Sequence, residues 1–461
     1  MLRLPIYNAH RMGSTTSATV KSFLLCVLFV TFGWLLWSQQ TQATETPIYG
    51  TLVKADAFPA VYYYGSDGKR YVFPNEKTYF SWYADFSTVK TVSEDDLGDM
   101  AIGGNVTYRP GSRMIKIQSN PKVYAVDQSG VLHGVPSEEV AEQMYGENWA
   151  THIDDISDAF WSNYEVGENL EDTDYSPGIA LAETRTIGED KGLSGPSRDV
   201  ELTAIPLGDD RVSTSPERGS VMECHSSSGG PGASDDAPWI TGDTWDATTK
   251  FLVDGSVWWE DAYMILTTLS GERTTESLAL PTLHPTGTYP VSSSDDAYTI
   301  DRNPNSISKH EIRLSLPQHP ELADEPTCVQ GEVGIAVTGV PIFSATDAQG
   351  RDAVAHEVQD ACGGHPQEAG EYHYHGGSAC FANGDSELFG YAFDGFGIFS
   401  NLEEGVYLTN DDLDECHGHT HEITWDEETE DIYHYHVTEE FPFTVGCFMG
   451  EPAFTGRTAS N

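Results

Sequence analysis

The sequence Tyr-His-Tyr-His occurs twice in this chain, at residues 372–375 and 433–436. Because side chains alternate between the two faces of a β-strand, each copy predicts a strand with both histidines on one face and both tyrosines on the other. Alternate residues on a strand lie about 6.6 Å apart at Cα, a spacing at which two imidazoles can converge on one ion. Each tetrad therefore predicts a strand with a tyrosine face and a candidate metal-ligand face.

Each tetrad belongs to a longer repeated segment. Residues 334–344, GIAVTGVPIFS, return as GYAFDGFGIFS at residues 390–400, and a D-x-C-x-G-H sequence at residues 360–365 returns at residues 414–419. We interpret the two segments as homologous halves packed about a pseudo-two-fold axis. This packing predicts that the tetrads lie on neighbouring strands, with their imidazoles within about 12 Å of one another.

The repeated histidines predict a transition-metal site, because neutral imidazole offers a ring lone pair at neutral pH. The candidate ligands are His365, His373, His375, His419, His434 and His436. Candidate carboxylates that ligate the ion or orient an imidazole from behind are Glu371, Asp394 and Asp414. Nitrogen and carboxylate ligands favour zinc or copper(II). The alternative is that the Tyr-His strands are core scaffolding only.

Residues 417–421, HGHTH, form a separate His-rich tract. Short tracts of this composition bind metal in some proteins. The tract is either a surface metal scavenger or an exposed loop.

The N-terminal region predicts export. Basic residues precede an apolar run at residues 22–37, and a small-x-small pattern follows at residues 41–43. We interpret residues 1–43 as a cleaved signal peptide, with an uncleaved membrane anchor as the alternative. Either interpretation places the body of the protein outside the cytoplasm.

The cysteine count fits export. Seven cysteines are present, and Cys26 lies inside the apolar run. An even number in an exported chain predicts three disulfides, with Cys416–Cys447 as the first choice. The six cysteines concerned are Cys224, Cys328, Cys362, Cys380, Cys416 and Cys447.

A second duplication precedes the histidine region. Residues 59–83 return as residues 121–145, and seven positions recur at an offset of 62 residues. Each copy predicts a strand, a tight turn, a second strand and a short helix after a proline. The repeat resembles one of exported bacterial surface proteins. Trp82 and Trp149 are candidates for carbohydrate contacts, although such aromatics more often fill cores.

These patterns predict a mainly β (α+β) fold. The predicted parts are a small duplicated α+β domain at residues 47–170, an acidic Gly/Ser/Pro-rich linker at 171–238, a β-rich domain at 239–452 and a tail at 453–461. Residues 226–238 predict a flexible segment within the linker.

The chain is strongly acidic. It has 72 Asp and Glu against 24 Lys and Arg, a formal net charge of -48. This balance argues against nucleic acid and anionic membrane surfaces as partners, and it favours cations.

Seven motifs between residues 284 and 450 form a specific set. They read HPTGTYP from His284, NPNSI from Asn303, VGIAVTGVPIF from Val333, CGGHPQEAGEYHYH from Cys362, LFGYAFDGFGIF from Leu388, LDECHGHTHEI from Leu413 and YHYHVTEEFPFTVGCFMG from Tyr433. With these motifs, residues 240–450 resemble the YHYH-domain family of secreted bacterial proteins. Thr338 and Gly397 depart from the family pattern, which has Asn and Pro there, and neither change removes a histidine.

The resemblance implies a secreted or cell-surface protein, and the family brings no established activity. From the residues we predict binding of zinc or copper, with a metal ion as partner and cell-envelope or extracellular polymer as a further candidate. One alternative is an extracellular metal-dependent hydrolase or oxidoreductase with Asp394 or Glu371 as general base. The other alternative is a purely structural module stabilised by disulfides.

Overall fold

The structure, a computed structural model, describes residues 49–170, 175–193, 200–225, 233, 237–425 and 428–453. The predicted signal peptide or anchor at residues 1–43 lies outside these residues. So do most of the predicted flexible segment at 226–238 and all of the predicted tail after residue 453. Among the described residues, no helix is both long enough and apolar enough to cross a membrane.

Two five-stranded sheets form the N-terminal region. The first sheet contains β1 (Leu52–Ala55), β2 (Tyr62–Tyr64), β3 (Lys69–Val72), β4 (Val89–Val92) and β5 (Ala101–Asn105), and the helices α1 (Glu76–Phe80) and α2 (Glu94–Asp99) lie between its strands in the chain. The second sheet contains β6 (Met114–Ile117), β7 (Asn120–Asp127), β8 (Val131–Gly134), β9 (Ile153–Ile156) and β10 (Glu165–Val166), and the helix α3 (Glu138–Tyr145) lies between β8 and β9 in the chain. Their strand orders, β4-β1-β2-β3-β5 and β9-β6-β7-β8-β10, correspond strand for strand.

The same local signals set the helix of each repeat. The side chains of Asn75 and Ser137 accept hydrogen bonds from Thr78 N and Val140 N, so each caps its helix directly after the shared proline. Trp82 is buried and donates its Nε1 hydrogen to Thr107 O, which fits the core interpretation of that side chain.

Arg109 fastens the N-terminal region to the rest of the chain. This buried guanidinium donates to four backbone carbonyls, those of Leu181, Thr184, Ala379 and Cys380, at 2.7–3.2 Å. Burial lowers the pKa of Arg109 to about 10, so the group stays charged at neutral pH.

Replacing Arg109 by methionine is expected to cost at least about 3 kcal/mol of unfolding free energy, because it leaves four buried carbonyls without their donor. The measurement is a urea titration of the variant against the parent protein. Arg313→Met, at an exposed residue paired with Glu276, is the control and should change stability by less than about 0.5 kcal/mol. Equal stability of the two variants would contradict the fastening role.

The described part of the predicted linker contains short elements. These are α4 (Pro177–Glu183), α5 (Ile187–Asp190), β11 (Ile205–Pro206), β12 (Val212–Ser213) and β13 (Val221–Met222). Ile187 packs with the aromatic core of the first sheet, and Leu181 packs against Cys362 and Cys380. The domain boundaries given above remain predictions.

The described C-terminal region contains strands, one short α-helix and two 3-10 helices, Asp296–Thr299 and Asn410–Asp412. The strands and the α-helix are β14 (Ile240–Thr241), β15 (Thr244–Trp245), β16 (Met264–Leu269), β17 (Glu272–Ser277), β18 (Ile312–Pro317), β19 (Leu322–Thr327), β20 (Glu332–Ala336), β21 (Pro341–Phe343), α6 (Ala353–His356), β22 (Gly364–Pro366), β23 (Tyr372–Tyr374), β24 (Leu388–Ala392), β25 (Gly397–Phe399), β26 (Leu402–Glu403), β27 (Val406–Tyr407), β28 (Gly418–Trp425), β29 (Glu428–His436) and β30 (Phe448–Gly450). The predominance of strands confirms the mainly β (α+β) class.

Eight of these strands form one sheet in the order β22-β23-β21-β20-β24-β25-β29-β28. The order reads the same from the centre outward in both halves, with β20 corresponding to β24, β21 to β25, β23 to β29 and β22 to β28. The central strands β20 and β24 are antiparallel, as a pseudo-two-fold axis between them requires. The predicted homologous halves are therefore present in one continuous sheet.

Glycine permits the close approach of the two central strands. A Cβ atom on Gly334 would lie 2.5 Å from Tyr391 O, and a Cβ atom on Gly390 would lie 2.5 Å from Ile335 O. The two glycines occupy equivalent positions of the repeat, so each half supplies the space that the other half needs.

The prediction that the tetrads lie on neighbouring strands is wrong. Four strands separate β23 from β29, which places the tetrads five interstrand spacings, about 24 Å, apart along the sheet. The physical reason is the position of the axis. Because the halves meet at β20 and β24, each tetrad lies toward an outer edge of the sheet.

Three disulfides join the six predicted cysteines as Cys224–Cys328, Cys362–Cys380 and Cys416–Cys447. The predicted number and the first-choice pair Cys416–Cys447 are confirmed. The second and third bridges are equivalent, since each joins the cysteine of a D-x-C-x-G-H sequence to a cysteine beyond the following tetrad.

Candidate metal centres

The tyrosines of both tetrads face the core. Tyr372, Tyr374, Tyr433 and Tyr435 belong to the large hydrophobic cluster of the C-terminal region, and each hydroxyl has a polar partner. Tyr372 donates to Asp360 and Tyr433 donates to Asp414, the two equivalent aspartates of the D-x-C-x-G-H sequences. Alternation then turns the histidines to the opposite face of each strand, as the period of two predicts.

The first-half histidines converge at one place, which we call site 1. It comprises the three buried imidazoles of His365, His373 and His375, with Glu357 beside two of them. His373 Nε2 and His375 Nε2 lie 3.1 Å apart. Glu357 Oε2 lies 3.4 Å from both His365 Nε2 and His375 Nε2.

Backbone carbonyls fix the tautomers of two site 1 imidazoles. His373 Nδ1 lies 3.1 Å from Glu371 O, and His375 Nδ1 lies 2.6 Å from Ser344 O. A carbonyl oxygen only accepts, so each Nδ1 carries the hydrogen and each Nε2 carries a lone pair. Two lone pairs therefore face each other at 3.1 Å, an arrangement that a cation between them would stabilise.

A proton is a poor candidate for that cation. Burial, followed by the neighbouring His375, lowers the pKa of His373 well below its ordinary value. Burial also lowers the pKa of His375 to about 4. The rings are therefore neutral at neutral pH, which is the form that binds metal.

Three further buried atoms of site 1 have no hydrogen-bond partner among the described residues. They are His365 Nδ1, His365 Nε2 and Glu357 Oε2. The approach of Glu357 to His365 at 3.4 Å does not have hydrogen-bond geometry. Buried polar atoms are normally partnered, so these atoms fit a bound ion.

The second half repeats this geometry at site 2, which comprises Glu403, His419, His434 and His436. His434 Nδ1 lies 3.0 Å from Ile432 O, and His436 Nδ1 lies 2.7 Å from Ser400 O. His436 Nε2 and His419 Nε2 lie 3.1 Å apart. The carbonyl-fixed tautomers of the two tetrad histidines are thus reproduced. The close Nε2 pair differs, because it joins His436 to His419 rather than the two tetrad histidines, and His419 also contacts Glu403.

The carboxylates of the two sites differ in charge. Burial, followed by Asp347 and Asp301, raises the pKa of Glu357 to about 8. Burial alone would raise the pKa of Glu403, but hydrogen bonds with His419 and His434 outweigh it and hold that pKa well below the ordinary value. Glu403 is therefore an anion at neutral pH, whereas Glu357 retains its proton until a cation displaces it.

The spacing of the donor atoms suits a tetrahedral ion. Ligands about 2.1 Å from a tetrahedral zinc lie about 3.4 Å from one another. The separations given for site 1 are 3.1–3.4 Å. In site 2, Glu403 Oε2 lies 3.1 Å from His419, and Glu403 Oε1 lies 3.3 Å from His434 and 3.7 Å from His436. Site 2 can therefore supply three imidazole nitrogens and one carboxylate, and site 1 can supply three imidazole nitrogens with Glu357 beside two of them.

The predicted orienting carboxylates have other partners. Asp394 accepts from Tyr435 Oη at 2.5 Å and from Gly450 N, and Asp414 accepts from Tyr433 Oη and two backbone amides. These contacts lie on the tyrosine side, so they do not support the predicted role beside the imidazoles. Glu371 does orient His373, but through its backbone carbonyl.

Glu357 and Glu403 are the ligand candidates that the sequence analysis missed. Both come from the connection between the second and third strands of their half, Glu357 after α6 and Glu403 in β26. They do not occur at equivalent sequence positions, so the repeat carries no signal for them.

A third group of metal-ligand residue types, His284, Cys362 and Cys380, is not a metal site because the two cysteines form a disulfide. His284 accepts from Tyr374 Oη at 2.7 Å and donates from Nδ1 to Pro285 O at 2.8 Å. It thereby positions the tyrosine that lies between the two site 1 histidines.

The buried His284 should make the stability of the fold sensitive to acid. Burial lowers its pKa to about 4, so below pH 6.5 the unfolded chain takes up a proton that the folded chain refuses. Its contribution to stability, up to about 3 kcal/mol, is present above pH 6.5 and is lost as the pH falls toward 4. In urea titrations with a chelator present, His284→Gln should show a smaller stability difference between pH 7 and pH 4.5 than the parent. An equal difference would contradict the assignment.

The HGHTH tract divides into three environments. His417 is buried and contacts Thr438 Oγ1, His419 belongs to site 2, and His421 is half-buried beside Glu403. The tract is thus part of strand β28 and its entry rather than a loop.

Residues 313–406 match the model of a family described as YHYH protein. No curated protein and no solved structure matches the chain. His419, His434 and His436 lie beyond the matched residues. The matched segment contains the first tetrad and all four side chains of site 1, and this segment is what the chain shares with the YHYH protein family.

Proposed function

We propose that this protein binds two transition-metal ions, zinc or copper, at sites 1 and 2. The observation that supports this function best is the convergence of three imidazoles in both halves, with one Nε2–Nε2 separation of 3.1 Å in each. Its repetition argues against an accident of packing, because the two sites share no residue.

The donor sets favour ion binding over catalysis. Catalytic zinc sites keep three protein ligands and an open position, whereas structural sites are closed by four. Site 2 offers four donors, site 1 offers three imidazoles with Glu357 beside two of them, and Asp394, one predicted general base, is engaged by Tyr435. A hydrolase or oxidoreductase is therefore the weaker candidate.

We further propose that the protein acts outside the cytoplasm. Three disulfides are typical of oxidising compartments, and the high negative charge favours cations over nucleic acid. Cell-envelope or extracellular polymer remains a candidate partner.

The test is metal stoichiometry of protein purified without a histidine tag. After treatment with a chelator and dialysis, titration calorimetry and elemental analysis with Zn²⁺ or Cu²⁺ should give about two equivalents per chain, one for each donor set. Absence of stoichiometric binding of both ions would overturn the proposal and favour the scaffolding alternative.

A further inference from the structure

The two sites differ in access to solvent. All three imidazoles of site 1 are buried, and the side chain of Glu357 is 16% exposed. In site 2, His434 and His436 are buried, but the side chain of His419 is 24% exposed. Site 2 therefore opens toward solvent on the side of β28, the edge strand of the sheet.

A fourth histidine lies at that opening. The side chain of His421 is 37% exposed, and its Nδ1 lies 3.4 Å from Glu403 Oε1. Its Nε2 lies 3.8 Å from Glu404 Oε1, on a side chain that is 59% exposed. His419 and His421 alternate on β28, so their side chains share one face.

Glu403 links the exposed histidine to the buried ones. The same oxygen, Oε1, lies 3.4 Å from His421 Nδ1 and 3.3 Å from His434 Nε2. An ion held by His421 and Glu404 could thus pass to site 2 without leaving the reach of Glu403.

Site 1 has a different residue at the matching position. Two residues after His365 the chain has Gln367, where the second half has His421 two residues after His419. The amide of Gln367 donates to Glu371 Oε2 at 2.9 Å. An amide nitrogen has no lone pair for a metal, so the first half lacks this entry residue.

We propose that site 2 exchanges its ion with the surroundings through His421 and Glu404, whereas site 1 holds its ion. This inference rests on the proposed binding of two metals and adds that only one of them is exchangeable. The ligand of the outer pair is a hydrated divalent transition-metal cation. The protein would then be a metal carrier at site 2 that is stabilised by the ion at site 1.

The experiment follows release of Zn²⁺ from the fully loaded chain to a chromogenic chelator in a stopped-flow instrument. Release should occur in two phases of equal amplitude, with the slow phase at least about tenfold slower, a factor within the range seen when groups around metal ligands are changed. His436→Ala should remove the fast phase, and His375→Ala should remove the slow phase. His421→Gln should slow the fast phase by about tenfold while the stoichiometry stays unchanged.

A matched control distinguishes a specific role of His421 in ion exchange from a general effect of surface charge. Glu422→Gln removes an exposed carboxylate one residue away, on the other face of β28, and should leave both phases unchanged. Release of both ions at one rate, or an unchanged fast phase in His421→Gln, would overturn this inference alone. Failure of the parent chain to bind metal would overturn the two-metal function and this inference together.

Discussion

Replacing His373 and His375 together by alanine is expected to lower the bound zinc from two equivalents per chain to one. The two Nε2 atoms supply two of the three imidazole donors at site 1, and no described side chain of site 2 contacts them. His434→Ala with His436→Ala should likewise remove the other ion, and the combined variant should bind none. Titration calorimetry with elemental analysis measures each stoichiometry.

The same variants should differ in how much bound metal raises the free energy of unfolding. A ligand that binds only the folded chain stabilises it by about 4 kcal/mol at a thousandfold excess over its Kd. The parent should gain this amount at each site, and each double variant at one site only, as urea titrations with and without Zn²⁺ would show. The control is His310→Ala with His319→Ala, which changes two histidines outside both sites and should keep two equivalents.

Two results would contradict the assignment. Unchanged stoichiometry in His373→Ala with His375→Ala would show that the facing lone pairs are not the ligands. A double variant that fails to fold even without metal would show that the histidine face is scaffolding.

The sequence predicted the contents of each half well, because period-two alternation and a constant offset are local signals. The face of each tetrad histidine and the paired D-x-C-x-G-H sequences could be read in this way, whereas the bridge Cys416–Cys447 was a first choice among the pairings that six cysteines allow. The aspartates of those sequences, Asp360 and Asp414, were also visible, but not their role of holding the tetrad tyrosines.

The arrangement of the halves could not be predicted from the same signals. A repeat indicates two equivalent units, but it does not show which of their strands meet. Here Gly334 and Gly390 allow β20 and β24 to meet at the centre, and the tetrads consequently lie far apart. One shared six-histidine cluster was therefore expected, whereas two separate three-histidine clusters are present, each beside a glutamate that does not occupy an equivalent position of the repeat.

Removing the bridge Cys362–Cys380 by alanine substitution is expected to weaken site 1 selectively. Cys362 lies three residues before His365, as Cys416 lies three residues before His419, so each bridge restrains the segment that carries one ligand of its own site. Loss of the bridge should lower zinc affinity at site 1 by about tenfold or more, the range seen when supports of metal ligands are removed. Affinity at site 2 should stay unchanged. Removing Cys416–Cys447 should give the reverse result.

The bridge Cys224–Cys328 tests whether the disulfides restrain each site locally or stabilise the whole fold. Cys224–Cys328 has the longest sequence separation, 104 residues against 18 for Cys362–Cys380, so chain entropy predicts the larger loss of unfolding free energy, about 4.7 against about 3 kcal/mol. It borders neither D-x-C-x-G-H segment, so its removal should leave both zinc affinities unchanged. Urea titration and zinc calorimetry on all three alanine pairs give the comparison. If zinc affinity instead falls in proportion to stability, whichever bridge is removed, the bridges act on the whole fold and the local role is wrong.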